Sequence, residues 1–187
     1  MIRKIALIVC FLLIIINLSA QNDNLSISQN NGVFFIDIYA GTQVSGIRKE
    51  DYVISNFAPY VQFSLGKWIV PYLALSINYQ GPYFHFISDS FNHKYLYIDG
   101  QVILDINSIF KTQYKALNIQ AMAGGGLFYN YFYDRPNVCG TVGLLNEFIL
   151  TKTISIKLKL ATIMGWDIYQ GDEDILTNMS IGLSIAF

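Results

Sequence analysis

The chain has 187 residues, of which 53% are hydrophobic and only 13% are charged. An ordinary soluble domain carries about 25% charged residues, so much of the surface of this protein is expected to face something other than water. The formal net charge of −1 offers no basic excess to a nucleic-acid backbone, so nucleic acid is excluded as a partner and one folded domain is expected.

The first twenty residues have the three parts of a secretory signal peptide. Arg3 and Lys4 supply the positive end, residues 5–16 form an apolar stretch, and Leu18-Ser19-Ala20 is typical of a cleavage site. Residues 1–20 are therefore predicted to be removed on export. Cys10 lies in that segment, which leaves a single cysteine, Cys139, and predicts no internal disulfide.

A polar stretch rich in Asn, Gln and Ser follows at residues 21–32 and has no apolar face to bury. This composition favours a loosely ordered periplasmic tail. The predicted organisation is therefore a signal peptide (1–20), a polar tail (21–32) and one folded domain (33–187).

From residue 33 to residue 187 apolar and polar side chains alternate with a period of two, in eight segments of about ten residues each. In the third segment Leu73, Leu75 and Ile77 alternate with small or polar residues without exception. The sixth segment, residues 138–150, is the least regular, because Cys139 and the consecutive Leu144 and Leu145 blur its two faces. A tilted strand of this length crosses the hydrocarbon layer of a membrane.

The predicted connections alternate in length along the chain. Long ones fall near residues 44–56, 81–94, 129–137 and 166–174, and short ones near 67–70, 107–112 and 151–153. Short periplasmic turns and longer external loops are typical of outer-membrane barrels. The pattern predicts an all-β fold, an eight-stranded antiparallel up-and-down transmembrane β-barrel, with both mature termini in the periplasm.

Two other folds compete with this interpretation. A soluble barrel needs solvating charges on its outer face, whereas here one face is aliphatic and the other is built of small polar residues that suit a narrow interior. A membrane helix over residues 116–133 is disfavoured because Gly124, Gly125 and Gly126 each cost about 1 kcal/mol in a helix. Aromatic residues near the segment ends are predicted to form a belt at the headgroups: Phe57, Tyr79, Tyr95, Tyr114, Phe128 and Phe148.

The last eight residues, SIGLSIAF, resemble the C-terminal assembly signal of outer-membrane β-barrels, with Ser180, Gly182, Ile185 and Phe187 at the characteristic positions. Together with the eight strands, the resemblance covers residues 33–187 and is to the small OmpA/OmpX-like (porin-like) outer-membrane barrel class. It implies a Gram-negative outer membrane as the location. It also implies contact with outer-membrane lipid and lipopolysaccharide, and recognition by the barrel-assembly machinery during insertion.

Six charged residues fall on the predicted inner face: Asp37, Asp99, Asp105, Glu147, Lys157 and Lys159. A hairpin loop at residues 151–153 sets Glu147 opposite Lys157, which predicts a cross-strand ion pair. Because the interior of an eight-stranded barrel is just wide enough for its own side chains, these charges are predicted to plug the barrel. A narrow solute channel is the alternative.

The predicted loops carry aromatic residues suited to binding an external protein or glycan: Tyr83, Phe84, Phe86, Phe91, Tyr131, Phe132 and Tyr133. The same residues also fit strands that simply extend above the membrane. The first functional hypothesis is therefore a non-enzymatic barrel that strengthens the envelope or binds a partner through its loops.

An outer-leaflet lipid enzyme is the second hypothesis, since some barrels of the resembling class are lipid deacylases or acyltransferases. The ingredients of a catalytic triad lie in or near the second loop: His85, Ser88, Asp89, Ser90 and His93. Their spacing matches no nucleophile motif, so no catalytic residue is predicted. The histidines with Asp89, or Asp172-Glu173-Asp174 as a calcium site, are weak metal candidates, and no metal or cofactor is predicted.

Overall fold

The computed structural model describes residues 32–46, 57–86, 91–110, 117–166, 168 and 173–187. The predicted signal peptide and nearly all of the polar tail lie outside these ranges. Several single residues named above also lie outside them: Cys10, Ser88, Asp89, Ser90, Tyr114 and Asp172. The description likewise leaves out the side chains of His85, Phe86, Phe91 and Glu173.

Eight strands and one short helix make up the described chain. The strands are β1 (Phe34–Ser45), β2 (Phe57–Val70), β3 (Leu73–Phe86), β4 (Phe91–Asp105), β5 (Leu117–Asn130), β6 (Arg135–Ile149), β7 (Ile154–Trp166) and β8 (Glu173–Ala186). The helical turn α1 (Ile106–Ile109) follows β4. Among the described residues no helix is long and apolar enough to cross a membrane.

Every strand pairs antiparallel with its neighbour in sequence, and β1 pairs with β8 to close the barrel. At this seam Phe34 N donates to Phe187 O at 3.0 Å, and Phe187 N donates to Phe34 O at 2.9 Å. Closure leaves no unpaired strand edge, which is the condition for a β-structure in lipid. The predicted fold class and strand count are confirmed.

The two ends of the barrel differ in what they carry. The proximal end holds the start of β1, the end of β8 and the connections at residues 71–72, 106–116 and 150–153. The distal end holds the connections at residues 46–56, 87–90, 131–134 and 167–172.

Several predicted boundaries are wrong because the strands run for 12 to 15 residues rather than about ten. Most of the predicted loop 81–94 belongs to β3 and β4, and the predicted loop 129–137 shrinks to a turn at 131–134. The predicted connection 67–70 belongs to β2, with the turn at Pro71 and Tyr72. The connection 106–116 is longer than predicted, so the lengths do not alternate strictly. Backbone pairing continues past the apolar belt, where the side chains no longer mark the strand.

Side chains alternate between the interior and the outer wall as the period of two predicts. In β7, Lys157 and Lys159 are buried, whereas Leu158 and Leu160 are exposed. The irregular sixth segment follows the same rule, with Cys139 and Leu145 turned inward and Leu144 outward. The barrel therefore has an apolar outer wall and a mixed interior.

The outer wall presents an apolar belt of membrane height. On β2 the outward residues run from Phe57 to Leu65 without a charge, and Lys67 follows at the proximal edge. The ten residue-to-residue steps from Phe57 to Lys67, at about 3.3 Å each and a tilt of about 40°, cover roughly 25 Å, the usual height of such a belt.

Part of the predicted aromatic belt is wrong. Phe57 and Tyr79 are exposed on the outer wall and Phe148 is half-buried there, but Tyr95 and Phe128 are buried in the interior. Side-chain direction follows parity along the strand, and Phe128 shares the inward parity of Gln120. Nearness to a strand end does not turn a ring outward.

Candidate functional site

The centre of the interior is an ion pair that joins β7 to β1. Lys157 Nζ donates to both carboxylate oxygens of Asp37, at 2.9 and 3.1 Å. Tyr39 OH donates to the same carboxylate at 3.0 Å, and Glu147 lies opposite Lys157 in the ladder, with Oε1 4.0 Å from Nζ. Because each charge has partners, the cost of burying it is offset.

Glu147 is fixed from two further sides. Ser155 Oγ donates to Oε1 at 2.6 Å and Gln120 Nε2 donates to Oε2 at 2.7 Å. Its side chain is 13% exposed, compared with 2% for Lys157. The carboxylate therefore closes this polar network, near the proximal end.

A second polar network crosses the interior from β7 to β4. Lys159 donates to Tyr60 OH at 3.2 Å and to the side-chain oxygen of Gln62. Tyr60 in turn donates to Gln80 at 2.9 Å, and Gln80 donates to Asp99 at 3.2 Å. Lys159 and Asp99 are thus linked through side chains of β2 and β3.

Asp105 has a local structural role. It is fully buried and caps α1, accepting hydrogen bonds from Ser108 N at 3.0 Å and Ser108 Oγ at 2.7 Å. Asn118 Nδ2 donates to it at 3.0 Å from the neighbouring strand. Such a cap satisfies backbone donors that a helix start leaves free, so this carboxylate fastens the β4–β5 connection.

The distal half of the interior contains a buried apolar cluster, half of it aromatic, called here the distal cluster. Tyr95 and Phe128 stack with ring centroids 4.8 Å apart, and Tyr97 OH donates to Cys139 O at 3.1 Å. Sequence reasoning missed this cluster, although the inward parity of its aromatic residues was the available signal. Its buried members are Phe84, Tyr95, Tyr97, Phe128, Cys139, Ile163, Ile168 and Leu176.

Little empty space remains between these groups. A cavity of about 10 Å³, bordered by Asp37, Gln62, Asn78 and Lys159 among others, lies in the middle of the barrel. That is about the volume needed to hold the centre of one water molecule. The described side chains leave no room there for a solute.

An aromatic turn projects at the distal end. Tyr131, Phe132 and Tyr133 lie in the turn between β5 and β6 and are 55%, 56% and 42% exposed. The ring of Phe132 rests on His93, with centroids 4.3 Å apart, and the Tyr131 ring meets that of Tyr129 edge-on at 4.9 Å. The turn is therefore supported from below while its outer surface stays open.

Phe84 does not belong to this exposed set, although the sequence placed it there. It is fully buried, packs against Phe128 at 5.9 Å and lies 5.5 Å from the His93 ring. The reason is that β3 continues to Phe86, so position 84 keeps the inward parity of Gln80. Tyr83 is half-buried, while Phe86 and Phe91 end β3 and begin β4 with side chains outside the description.

The candidate catalytic and metal residues are not brought together in the described part of the chain. His93 lies in β4 rather than in a loop and is buried between the rings of Phe84 and Phe132. Asp174 is buried in β8. Among the described residues no three His, Cys, Asp or Glu side chains converge as metal ligands would.

The predicted C-terminal signal contributes to the seam of the barrel. Ser180 and Gly182 face the interior, and Ile185 and Phe187 face outward. A Cβ at Gly182 would overlap the ring of Tyr39, so glycine makes room for that ring. Phe187 stacks on Phe34 with centroids 6.2 Å apart.

Solved structures of several outer-membrane barrels share this architecture. Neisserial surface protein A is 12% identical with a TM-score of 0.59, the match covering 84% of this chain and all of that one. OprG of Pseudomonas aeruginosa is 7% identical with a TM-score of 0.54, and the match covers 86% of this chain and 98% of that one. The N-terminal barrel domain of Pseudomonas aeruginosa OprF is 13% identical with a TM-score of 0.52, and the match covers 85% of this chain and all of that one.

No family model matches the sequence, and no curated protein matches it. At identities this low the structural likeness concerns the fold alone. The chain has the fold of the small eight-stranded outer-membrane β-barrels, and the resemblance found in the sequence is confirmed at that level.

Proposed function

We propose that the protein is an integral outer-membrane barrel that neither conducts solutes nor catalyses a reaction and that binds an external protein or glycan through its distal end. The observation that carries this proposal is the filled interior: the Asp37–Lys157 pair and the distal cluster occupy it, and the cavity that the described residues leave beside Asp37 and Lys159 measures only about 10 Å³. A barrel filled by its own side chains serves as a rigid support for what projects from it.

The outer wall supports insertion into a membrane. Large aliphatic residues such as Ile77, Leu127 and Ile181 are more than half exposed on it. An apolar area of this extent is unfavourable in water and favourable in acyl chains. The resemblance to outer-membrane barrels favours the outer membrane, with the proximal end in the periplasm.

Conductance tests the filled interior. Purified protein reconstituted in planar bilayers is expected to give no steady current above that of the lipid alone, because ions find no continuous aqueous path. Reconstitution is verified by the protease resistance of the inserted barrel. Sustained single-channel openings would reject the proposal in favour of a narrow channel.

The distal aromatic turn is the proposed contact surface for a partner. Exposed tyrosine and phenylalanine rings held by a rigid scaffold supply contact area at low entropic cost. A photo-crosslinking amino acid placed at Tyr131 is expected to capture a defined partner or glycan on intact cells. The same probe at Lys152, at the proximal end, is the control and should capture none of it. Equal capture from both ends would contradict the assignment.

A lipid-modifying enzyme is the alternative function, and a test on lipid A separates it from the non-enzymatic barrel. His93 is only 1% exposed beneath aromatic rings, which is unfavourable for a base that has to reach a lipid ester. Expression in a host with defined lipid A is therefore expected to leave its mass spectrum unchanged. A modified lipid A that returned to normal in His85→Ala or His93→Ala would establish the enzyme instead.

A further inference from the structure

We propose that the proximal rim of the barrel binds the headgroups of anionic phospholipids, with Lys67 and Lys152 as its cationic contacts. The inference rests on the proposed function, in which the proximal end lies in the phospholipid leaflet. It adds a lipid preference that neither the fold nor the distal turn implies.

Lys67 is a charge on the lipid-facing side of the barrel. It continues the outward series of Phe63 and Leu65 on β2, whose side chains are exposed. Its Nζ lies 4.6 Å from the centroid of the Phe34 ring, which itself stacks on Phe187. A lysine at the edge of an apolar belt extends its ammonium group toward the headgroups while its alkyl chain stays with the acyl chains. Two aromatic rings therefore support a cation at the level of the phosphates.

Lys152 is presented by an ordered turn between β6 and β7. Thr151 Oγ1 accepts hydrogen bonds from Thr153 N at 3.2 Å and from Ile154 N at 3.0 Å, which fixes the turn. Lys152 lies exposed at its tip. Because β2 and β7 are separated in the order of the barrel strands, the two lysines contact separate lipid molecules.

The acidic side chains near this rim are turned away from it. Asp105 is fully buried in its cap, and Glu147 is held by Ser155 and Gln120. Among the residues that the structure describes at this end, no acidic side chain lies exposed on the rim. Lys67 and Lys152 therefore act on a lipid headgroup without a competing side-chain carboxylate beside them.

The amino-acid sequences of the connections differ in charge between the two ends of the barrel, with basic residues at the proximal end and mainly acidic ones at the distal end. In sequence, the three proximal connections contain Lys111, Lys115 and Lys152 and no Asp or Glu. The four distal connections contain two basic residues, Arg48 and Lys49, and six acidic ones: Glu50, Asp51, Asp89, Asp134, Asp167 and Asp172. This division of charge in the sequence favours anionic headgroups at the proximal end over the distal end.

The size of the effect follows from the energy of a lysine near an anionic lipid surface. That energy is about 1 kcal/mol per lysine, which corresponds to roughly a fivefold change in affinity. Because the two lysines contact separate lipid molecules, each is expected to favour an anionic headgroup over a zwitterionic one by about fivefold at low salt. The preference should weaken as salt is added, because exposed charges are screened.

The test is a nuclear magnetic resonance titration of the mature, folded protein in neutral detergent micelles. Short-chain phosphatidylglycerol is added, and phosphatidylcholine of the same chain length is the comparison. We expect amide shifts at Phe34, Lys67 and residues 151–153, with tighter binding of phosphatidylglycerol. The double variant Lys67→Gln, Lys152→Gln should lose this preference. Lys94→Gln, an exposed lysine near the distal end, is the matched control and should keep it.

Several results would overturn the inference. These are equal responses to the two lipids, shifts concentrated at the distal end, an unchanged preference in the double variant, or the same shifts with inorganic phosphate alone. A protein that is monomeric and folded without detergent would instead overturn the proposed membrane function. The two failures are therefore distinguishable.

Discussion

Lys157 is the residue on which most of the interior charge depends. It donates to Asp37 and lies within ion-pair distance of Glu147, while its own side chain is 2% exposed. Lys157→Met removes the cation and leaves two carboxylates facing each other, and removal of one partner of a buried pair costs about 3–5 kcal/mol. Urea unfolding in lipid vesicles, followed by tryptophan fluorescence, should show that the free energy of unfolding falls by this amount.

The control for this prediction is Lys94→Met, which removes an exposed lysine near the distal end and should change the unfolding free energy by less than about 0.5 kcal/mol. The double variant Asp37→Ala, Lys157→Met should recover part of the loss, because only Glu147 then lacks its cation. A single variant as stable as the wild type would show that the pair contributes nothing.

Phe84 separates a core role from a binding role. Since it is fully buried in the distal cluster, Phe84→Ala should destabilise the barrel by about 3–5 kcal/mol. Tyr131→Ala removes an exposed ring and should cost less than about 1 kcal/mol while weakening capture of an external partner. Equal unfolding midpoints for the two variants would place Phe84 outside the core.

At the scale of elements, the paired strands β4 and β5 depend unequally on their glycines. A Cβ at Gly126 would overlap the carbonyl oxygen of Ile98 on β4, whereas a Cβ at Gly100 on β4 would meet nothing within 4 Å. Gly126→Ala is therefore expected to disrupt the β4–β5 ladder and lower the yield of folded barrel severalfold. Gly100→Ala is expected to be neutral or to stabilise by about 0.4–1 kcal/mol, through the unfolded chain.

The measurement for both variants is the folded fraction after refolding into vesicles, read from the electrophoretic mobility of unheated samples. The two substitutions are chemically identical and lie on neighbouring strands, so a difference between them reports the space around each glycine. Similar folded fractions for the two variants would show that the backbone of β4 shifts to accommodate a methyl group at Gly126.

The strands themselves were predictable from the sequence, because a period of two over eight segments is hard to satisfy in any other fold. The Glu147–Lys157 register also followed from the short turn between them. Strand ends were less predictable, since pairing beyond the apolar belt leaves no pattern in the side chains. The prediction that Tyr95 and Phe128 belong to the headgroup belt is wrong. Aromatic residues are common both in β-strands in general and in such a belt, so composition alone does not separate the two positions.

The site was predictable only in its parts. Inward charges follow from parity, but their partners do not: Asp37 and Lys157 are 120 residues apart, and closure of the barrel alone brings them together. Asp105 was grouped with the interior charges, whereas its hydrogen bonds to Ser108 depend on a helical turn that the sequence did not reveal.

At the scale of the whole molecule, a substitution can test whether the aliphatic outer wall faces lipid. Leu158 is exposed on β7, between the inward Lys157 and Lys159. In a bilayer Leu158→Arg should destabilise the barrel by about 2–4 kcal/mol, because an arginine at the midplane lies in hydrocarbon. Lys152→Arg, which places an arginine in the exposed proximal turn and keeps the Thr151 hydrogen bonds, is the control and should be nearly neutral. Equal stabilities would mean that the wall does not face lipid.

The seam between β1 and β8 has a consequence for how the polypeptide is made. The first strand keeps a bare edge until the last one has been synthesised, and such an edge pairs readily with other chains. Joining segments so distant in sequence is also slow. A chain truncated before β8 is thus expected to form an aggregation-prone open sheet and not a smaller barrel.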